Sequence, residues 1–155
     1  MILSLCLVPL AACSEEQGKR DSTQQQSDGY VRKPLKITTQ DGRDLFFQVE
    51  VANTPESRAK GLMFREELAP DHGMIFLFSD AKPRSFWMRN TFLALDIIFV
   101  DDIGRITTIG EGKPLNESPV LSNGAARAAI ELNRGTAERL GIQIGDQIHF
   151  LGLNQ

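Results

Sequence analysis

The chain has 155 residues, with 17 lysines and arginines against 20 aspartates and glutamates, a formal net charge of −3 and a pI near 5.4. This length is typical of one folded domain, and a hydrophobic content of 41% is that of an ordinary globular chain. The acidic balance argues against a nucleic-acid partner, because such domains usually carry a basic face and a pI above about 9.

Both cysteines, Cys6 and Cys13, lie at the amino terminus. The remainder of the chain therefore contains no disulfide, no zinc–thiolate site and no thiol nucleophile.

The first twelve residues are apolar apart from Ser4. They are too few to span a bilayer, which needs about 20 residues, but they have the length of the apolar core of a signal peptide. They end in Leu-Ala-Ala-Cys, which resembles the lipobox of bacterial lipoproteins, where cleavage precedes a cysteine that then carries acyl chains. We predict a lipoprotein signal peptide over residues 1–12 and lipidation at Cys13. The alternative is a buried amino-terminal strand with an incidental cysteine.

Residues 13–34 are polar and charged, and such a composition cannot offset the entropy of ordering the chain. We predict a flexible, lipid-anchored tether that makes the membrane a partner of the protein. Ser14 directly after the cysteine resembles lipoproteins sent to an outer membrane. The expected location is therefore the periplasmic face of the outer membrane, if the source has two membranes.

The remaining residues, 35–152, alternate between apolar and polar side chains in short runs that are typical of strands. Asp41-Gly42 between two such runs indicates a hairpin, and Leu45, Phe47 and Val49 share one face of its second strand. Further strands are predicted at residues 74–78, 97–100, 105–109, 125–132 and 148–151.

Two short helical segments interrupt this strand pattern. Thr54-Pro55-Glu56 has the signature of a helix start, and that helix should end near residue 62 or 63. A second helical turn fits residues 136–140, where Gly141 stops it. The predicted fold class is mainly β: a compact, single barrel-like or sandwich-like domain with two short helical turns.

Three ordered segments have patterns too particular for a generic core. They are Thr54-Pro55-x-x-Arg58-x-x-Gly61-Leu62-Met63-x-Arg65 continuing to Gly73-Met74-x-Phe76-x-Phe78, then Phe86-Trp87-Met88-x-Asn90-Thr91 with Leu95-Asp96-x-x-Phe99, then Glu131-Leu132-x-x-Gly135 with Gly145-Asp146. Together they resemble domain-of-unknown-function family 192, small domains that are often exported, over about residues 36–151. The resemblance implies a compact, mainly-β, barrel-like domain and no established biochemical role. The chain departs from the family pattern at Ala94, where a proline is usual, and has Arg89 where lysine is frequent.

These segments combine aromatic, polar and charged side chains, which a purely hydrophobic core would exclude. A pocket is predicted where Met63, Trp87, Asn90 and Asp96 converge, edged by Arg58 and Arg65. Arg84 and Arg89 lie near the same segments, and the planar guanidinium groups of converging arginines suit an anionic ligand such as a carboxylate or phosphate. The candidate ligand-binding residues are Arg58, Met63, Arg65, Trp87, Met88, Asn90, Asp96 and Glu131. Structural roles compete with this interpretation: Trp87 as core filler, and Asp96 or Glu131 in a salt bridge or turn cap.

No known catalytic signature is present, so no catalytic residue, cofactor or metal ion is predicted. The favoured function is a non-catalytic module that binds a small ligand or an envelope component. One alternative is an enzyme that uses the carboxylates of Asp96 and Glu131. Another is a periplasmic Cu(I)-binding protein with soft ligands, although methionine is more often core filler. The candidate copper ligands are Met63, His72, Met74, Met88 and Trp87.

Overall fold

The computed structural model describes residues 30–153. The predicted signal peptide, the lipidation site at Cys13 and most of the predicted tether lie outside the described residues. Within residues 30–153, no helix is long and apolar enough to cross a bilayer.

Seven strands form one sheet, in the order β5-β4-β6-β3-β2-β1-β7. The elements are β1 (Arg32–Thr38), β2 (Asp44–Ala52), α1 (Pro55–Lys60), β3 (His72–Phe86), β4 (Leu95–Val100), β5 (Ile106–Gly112), β6 (Val120–Asn133), α2 (Thr136–Leu140) and β7 (Gln147–His149). Neighbouring strands are antiparallel except β2 and β3, which are parallel. A backbone bridge joins Arg105, just before β5, to Gln147 of β7. Because these strands lie at opposite ends of the order, the sheet curls into a half-barrel, which confirms the predicted mainly-β class.

Each face of the sheet has its own apolar cluster, because successive side chains of a strand point to opposite faces. The α2-side cluster includes Ile130 and Leu132 of β6 and Ala137 of α2. The α1-side cluster includes Ala129 of β6 and Leu62 from the turn after α1. Strand β4 is buried along its whole length, since both clusters cover it.

Helix α1 begins where the sequence predicts. The Thr54 hydroxyl accepts a hydrogen bond from the Ser57 amide at 3.1 Å, the Ser57 hydroxyl caps the Thr54 amide at 2.9 Å, and Pro55 occupies the first turn. The helix ends at Lys60, two to three residues earlier than predicted, because Gly61 has a φ of +50°. A Cβ atom at Gly61 would also lie 3.3 Å from the Phe76 ring. This early end turns Met63 away from the helix.

Two strand boundaries differ from the predictions. Strand β1 begins at Arg32 and pairs with Glu50 of β2, so the folded part starts before residue 35. Strand β3 extends to Phe86, well past residue 78, because its pairing with β6 resumes after a β-bulge at residues 78–81. The predicted strand over residues 125–132 is confirmed as part of β6.

Candidate functional site

A cavity of about 420 Å³ opens between α1 and the end of β3. Helix α1 and the turn after it supply one wall, β3 supplies the other, and Glu131 of β6 contributes from the sheet. The lining residues are Arg58, Ala59, Lys60, Gly61, Leu62, Met63, Phe76, Phe78, Pro83, Arg84, Ser85, Phe86, Trp87, Thr91 and Glu131. Its volume and mixed lining are typical of sites that bind small molecules.

Aromatic rings supply much of the apolar lining. The Phe76 and Phe86 rings meet edge to face with centroids 5.0 Å apart, and Phe78 meets Phe86 in the same way at 6.5 Å. Such edge-to-face pairs fix the ring positions. Trp87 follows the end of β3 and is 51% exposed, so its ring is accessible at the cavity.

Arg58 is held rigidly at this cavity. Its Nη1 donates to the backbone carbonyls of Asn53 at 2.8 Å and Leu77 at 3.0 Å, and its guanidinium carbon lies 5.5 Å from the Phe78 ring centroid. Within residues 30–153 no carboxylate forms an ion pair with Arg58. The guanidinium therefore keeps its positive charge and its Nε and Nη2 donors available.

Arg84 lies on the same phenylalanine, with its guanidinium carbon 3.9 Å from the Phe78 ring centroid. Unlike Arg58, it has an acidic partner, since its Nη2 donates to Asp80 Oδ1 at 2.5 Å. Hydrogen bonds from Lys82 and from Arg84 hold the pKa of Asp80 below its usual range. Arg84 and Lys82 therefore share the single negative charge of Asp80.

Glu131 lines the cavity from the α1-side face of the sheet and is only 5% exposed. Its carboxyl group has no hydrogen-bond or ion-pair partner among the residues that the structure describes. Burial alone raises the pKa of Glu131 to about 8, because the low-dielectric surroundings disfavour the ionised form. At neutral pH this side chain is therefore mainly the uncharged acid.

A second buried glutamate, Glu50, lies in the same row of the sheet, separated from Glu131 by Met74 of β3. The two Arg65 nitrogens Nη1 and Nη2 donate to Glu50 Oε1 at 2.9 Å and Oε2 at 2.5 Å. Arg65 therefore neutralises Glu50, and it does not line the cavity that was predicted to include it.

Asp96 does not belong to the cavity, which corrects the predicted convergence with Met63 and Trp87. Its Oδ1 accepts from the Gly135 amide at 3.1 Å and its Oδ2 accepts from the Ala137 amide at 2.8 Å. These are the free N–H groups at the start of α2, on the α2-side face of the sheet. Asp96 is thus the helix cap, the structural role that the sequence left open.

Met88 and Asn90 also lie outside the cavity lining. Met88 is buried in the α1-side cluster, where its sulfur packs against Gly112. Asn90 lies in a turn with a φ of +56°, and its carbonyl accepts from the Phe64 amide at 2.8 Å. Strand β3 ends at Phe86, so Trp87 and Arg89 lie in the chain segment that follows it. The hydrogen bond between Phe64 and Asn90 joins the turn that contains Met63 to the turn that follows Trp87.

The candidate copper ligands do not form one open group. Met74 and Met88 are enclosed by the apolar side chains of the α1-side cluster, whereas Met63 and Trp87 line the cavity. Among residues 30–153, no three histidine, cysteine, aspartate or glutamate side chains are grouped as a metal site would require. Packing accounts for the two buried methionines.

Arg58, Met63, Trp87 and Glu131 are thus the candidate residues that the fold brings together. The sequence analysis missed Phe76, Phe78 and Phe86 as cavity residues, and it grouped Arg84 with the other arginines near the signature segments without placing it at the pocket. A signal for the phenylalanines was present, because Phe76 and Phe78 are spaced by two and therefore share one face of a strand. No sequence pattern indicated that Arg84 would lie on the Phe78 ring.

Comparisons with known proteins agree with this fold. A solved structure described as a "putative transcription regulator" from Sinorhizobium meliloti 1021 is 39% identical, with a TM-score of 0.76, and the match covers 77% of this chain and 94% of that one. A protein of unknown function from Novosphingobium aromaticivorans DSM 12444 is 41% identical, also with a TM-score of 0.76, over 79% of this chain and 88% of that one. Curated proteins gave no match.

The model of one protein family matches residues 36–150, which include all seven strands except the first four residues of β1. This family is DUF192, described as uncharacterized ACR, COG1430. The matched residues contain the three segments that carried the resemblance, and they contain every residue that lines the aromatic cavity. The chain therefore belongs to the DUF192 family.

Proposed function

We propose that this domain is a non-catalytic module that binds a small ligand in the cavity beside α1. The observation that carries the proposal is the pair of incompletely satisfied ionisable groups at one aromatic cavity. Arg58 has no carboxylate partner, and Glu131 has no polar partner, within the described residues. Glu131 is buried and Arg58 is half-buried, and withdrawing ionisable groups from water costs free energy unless something compensates them. A ligand that contacts both would supply the compensation.

An enzyme that uses Asp96 and Glu131 together is not supported. The two residues lie on neighbouring strands, where Asp96 is paired with Leu132 and Glu131 with Ile97. Their side chains therefore point to opposite faces of the sheet. Two carboxyl groups separated by the sheet cannot act on one substrate.

We propose no nucleic-acid-binding role, although one solved relative has a transcription regulator in its description. The net charge of −3 opposes the phosphate contacts that supply most of the affinity of such proteins. The chemistry of the cavity instead suits a small molecule.

We further propose that the domain is exported and anchored to a membrane through acyl chains on Cys13. The support is the Leu-Ala-Ala-Cys sequence followed by polar residues, and several acyl chains would make the anchoring stable. Mass spectrometry of the protein from its own membranes should show a lipid-modified amino terminus at Cys13, and Cys13→Ala should release the protein. An unmodified chain that still begins at Met1 would contradict the proposal.

A cavity-filling substitution tests the binding function. Ala59 is an exposed residue of α1 that lines the cavity, so Ala59→Trp should fill it without removing a buried side chain. We expect small-molecule fragments that shift NMR signals of the cavity residues to bind at least about tenfold more weakly, a loss of about 1.4 kcal/mol.

The matched control is Ser118→Trp, at an exposed loop position outside the cavity lining. This variant should bind the same fragments as the unaltered protein. Binding by the Ala59 variant equal to that of the unaltered protein, or no fragment that binds at the cavity, would overturn the proposed function.

A further inference from the structure

Resting on the binding function proposed above, we infer that the ligand is a small organic anion. Its carboxylate or phosphate group binds to Arg58, its apolar body lies against the phenylalanine rings and Trp87, and a hydroxyl or carbonyl group reaches Glu131. Each of these three contacts follows from a separate feature of the cavity.

The anion site is the guanidinium of Arg58. Its Nη1 is already used, since it donates to the carbonyls of Asn53 and Leu77. The Nε and Nη2 groups remain, and two N–H donors side by side match the two oxygens of a carboxylate or phosphate. Because the carbonyls and the Phe78 ring already fix the guanidinium, little side-chain entropy is lost when a ligand binds.

The charges around the cavity also favour an anion over a cation. Three basic residues line it, Arg58, Lys60 and Arg84, whereas Glu131 is the single acidic residue in the lining. Asp80 is paired with both Lys82 and Arg84, so these three groups keep a net positive charge, and Asp80 forms no ion pair with Arg58. Aromatic walls alone would suit an organic cation, but a cation here would lie close to an arginine that lacks an acidic partner.

The apolar body of the ligand is set by the shape and lining of the cavity. The rings of Phe76, Phe78 and Phe86 are locked by edge-to-face contacts, and Met63 adds an adaptable thioether. A volume of about 420 Å³ accommodates a small molecule and excludes a folded macromolecule. A flat ring or a short branched chain fits this lining.

The inner contact is the buried carboxyl of Glu131. The uncharged acid does not repel an anion, and it can donate one hydrogen bond and accept others. The basic residues that share the cavity lining with Glu131 are Arg58, Lys60 and Arg84, while Glu50 in the same sheet row is held by Arg65. A neutral hydroxyl or carbonyl group on the ligand can form a hydrogen bond with the Glu131 carboxyl group, so the ligand needs no second charged group there.

Three probes of similar size test the ligand class: 4-hydroxybenzoate as the anion, benzyl alcohol as the neutral molecule and phenyltrimethylammonium as the cation. Trp87 is the only tryptophan and lines the cavity, so its fluorescence reports binding to the full chain. At pH 7 we expect the anion to bind at least about tenfold more tightly than either other probe.

Substitutions at Arg58 show whether the preference comes from this residue. Arg58→Gln should reduce anion affinity to that of the neutral probe, and Arg58→Lys, which keeps the charge but loses the planar fork, should be intermediate. The control Arg139→Gln changes a basic residue of α2, outside the cavity lining, and should have no effect. Circular dichroism and thermal unfolding establish that each variant is folded.

The contact with Glu131 is tested by pH. As pH rises from 7 to 9, the ionised carboxylate should weaken binding of 4-(hydroxymethyl)benzoate, an anion whose alcohol does not titrate in this range, by up to about tenfold, and Glu131→Gln should remove this pH dependence. Tighter binding of the cation or the neutral probe would overturn the anion assignment while leaving the binding function intact. If none of the three probes binds and the fragment screen also finds no ligand at the cavity, the anion assignment and the proposed binding function are both overturned.

Discussion

Glu50 and Glu131 lie in the same row of the sheet, on either side of Met74, and both are almost completely buried. Strand spacing places their backbones about 10 Å apart. Glu50 receives two hydrogen bonds from Arg65 and a weaker ion pair from Arg32 at 3.5 Å. Glu131 receives none from the described residues and opens into the cavity. The same residue type on the same face is thus a structural ion pair in one place and a candidate binding group in the other.

This difference shows that burial alone does not assign a role to a carboxyl group. The role of a buried carboxyl group depends on whether the fold supplies it with a hydrogen-bond or ion-pair partner. Substitutions at the two positions should therefore have opposite profiles: loss of stability at Glu50 and loss of ligand selectivity at Glu131.

The largest effect is expected for Glu50→Gln. It leaves the guanidinium of Arg65, which is 13% exposed, without its carboxylate, and breaking a buried pair in this way costs about 3–5 kcal/mol of unfolding free energy. Urea unfolding at pH 7 measures this loss, with Glu131→Gln as the matched control. Equal destabilisation by the two variants would remove the distinction between the glutamates.

A second prediction concerns pH. The unfolded chain ionises Glu131 near pH 4.5 and the folded chain near pH 8, so between these values the folded state binds more protons. The contribution of Glu131 to the free energy of unfolding is therefore fully present below pH 4.5. It is lost as the pH rises toward 8, by about 1.4 kcal/mol per pH unit.

The measurement is the free energy of unfolding at pH 6 and pH 8 for the unaltered chain and for Glu131→Gln. We expect the difference between the two proteins to change by roughly 2–3 kcal/mol across this interval. Comparing the two proteins cancels the pH dependence that comes from all other residues, which both proteins retain. A constant difference would mean that Glu131 is not buried as a neutral acid.

Asp96 sharpens the comparison, because it is a third largely buried carboxyl group and its partners are backbone amides. Asp96→Ala removes the acceptor of the Gly135 and Ala137 amides and should cost about 2 kcal/mol. Binding of the cavity probes should not change, since Asp96 lies on the other face of the sheet. Thermal unfolding and probe titration are the two measurements, and altered probe affinity in a folded variant would contradict the assignment.

The smallest effect is expected for Arg32→Gln. This residue contacts Glu50 at 3.5 Å and its side chain is partly exposed, so its ion pair is worth at most about 1 kcal/mol. Urea unfolding should place this variant close to the unaltered chain and far from Glu50→Gln. A loss as large as that of the Glu50 variant would show that Arg32, rather than Arg65, is the principal partner.

The sequence by itself determined the local elements of this protein. Thr54 and Pro55 begin α1, Gly141 stops α2, and the period-two alternation in β2 and the continuous apolar run of β4 appear in the structure as predicted. These features depend on neighbours within a few residues, through capping bonds, positive φ angles and alternation along a strand. The three family motifs likewise identified DUF192 and placed Arg58, Met63, Trp87 and Glu131 among the candidates.

Only the tertiary structure decided which of those candidates meet. Alternation shows which residues of one strand share a face, but strand order and register determine which residues of other strands lie beside them. Arg65 could have joined Asp96 or the cavity, and the parallel pairing of β2 with β3 instead placed Glu50 within its reach. Glu131 has no partner among the described residues for the same reason, because two basic side chains of the cavity, Arg58 and Arg84, donate to backbone carbonyls and to Asp80.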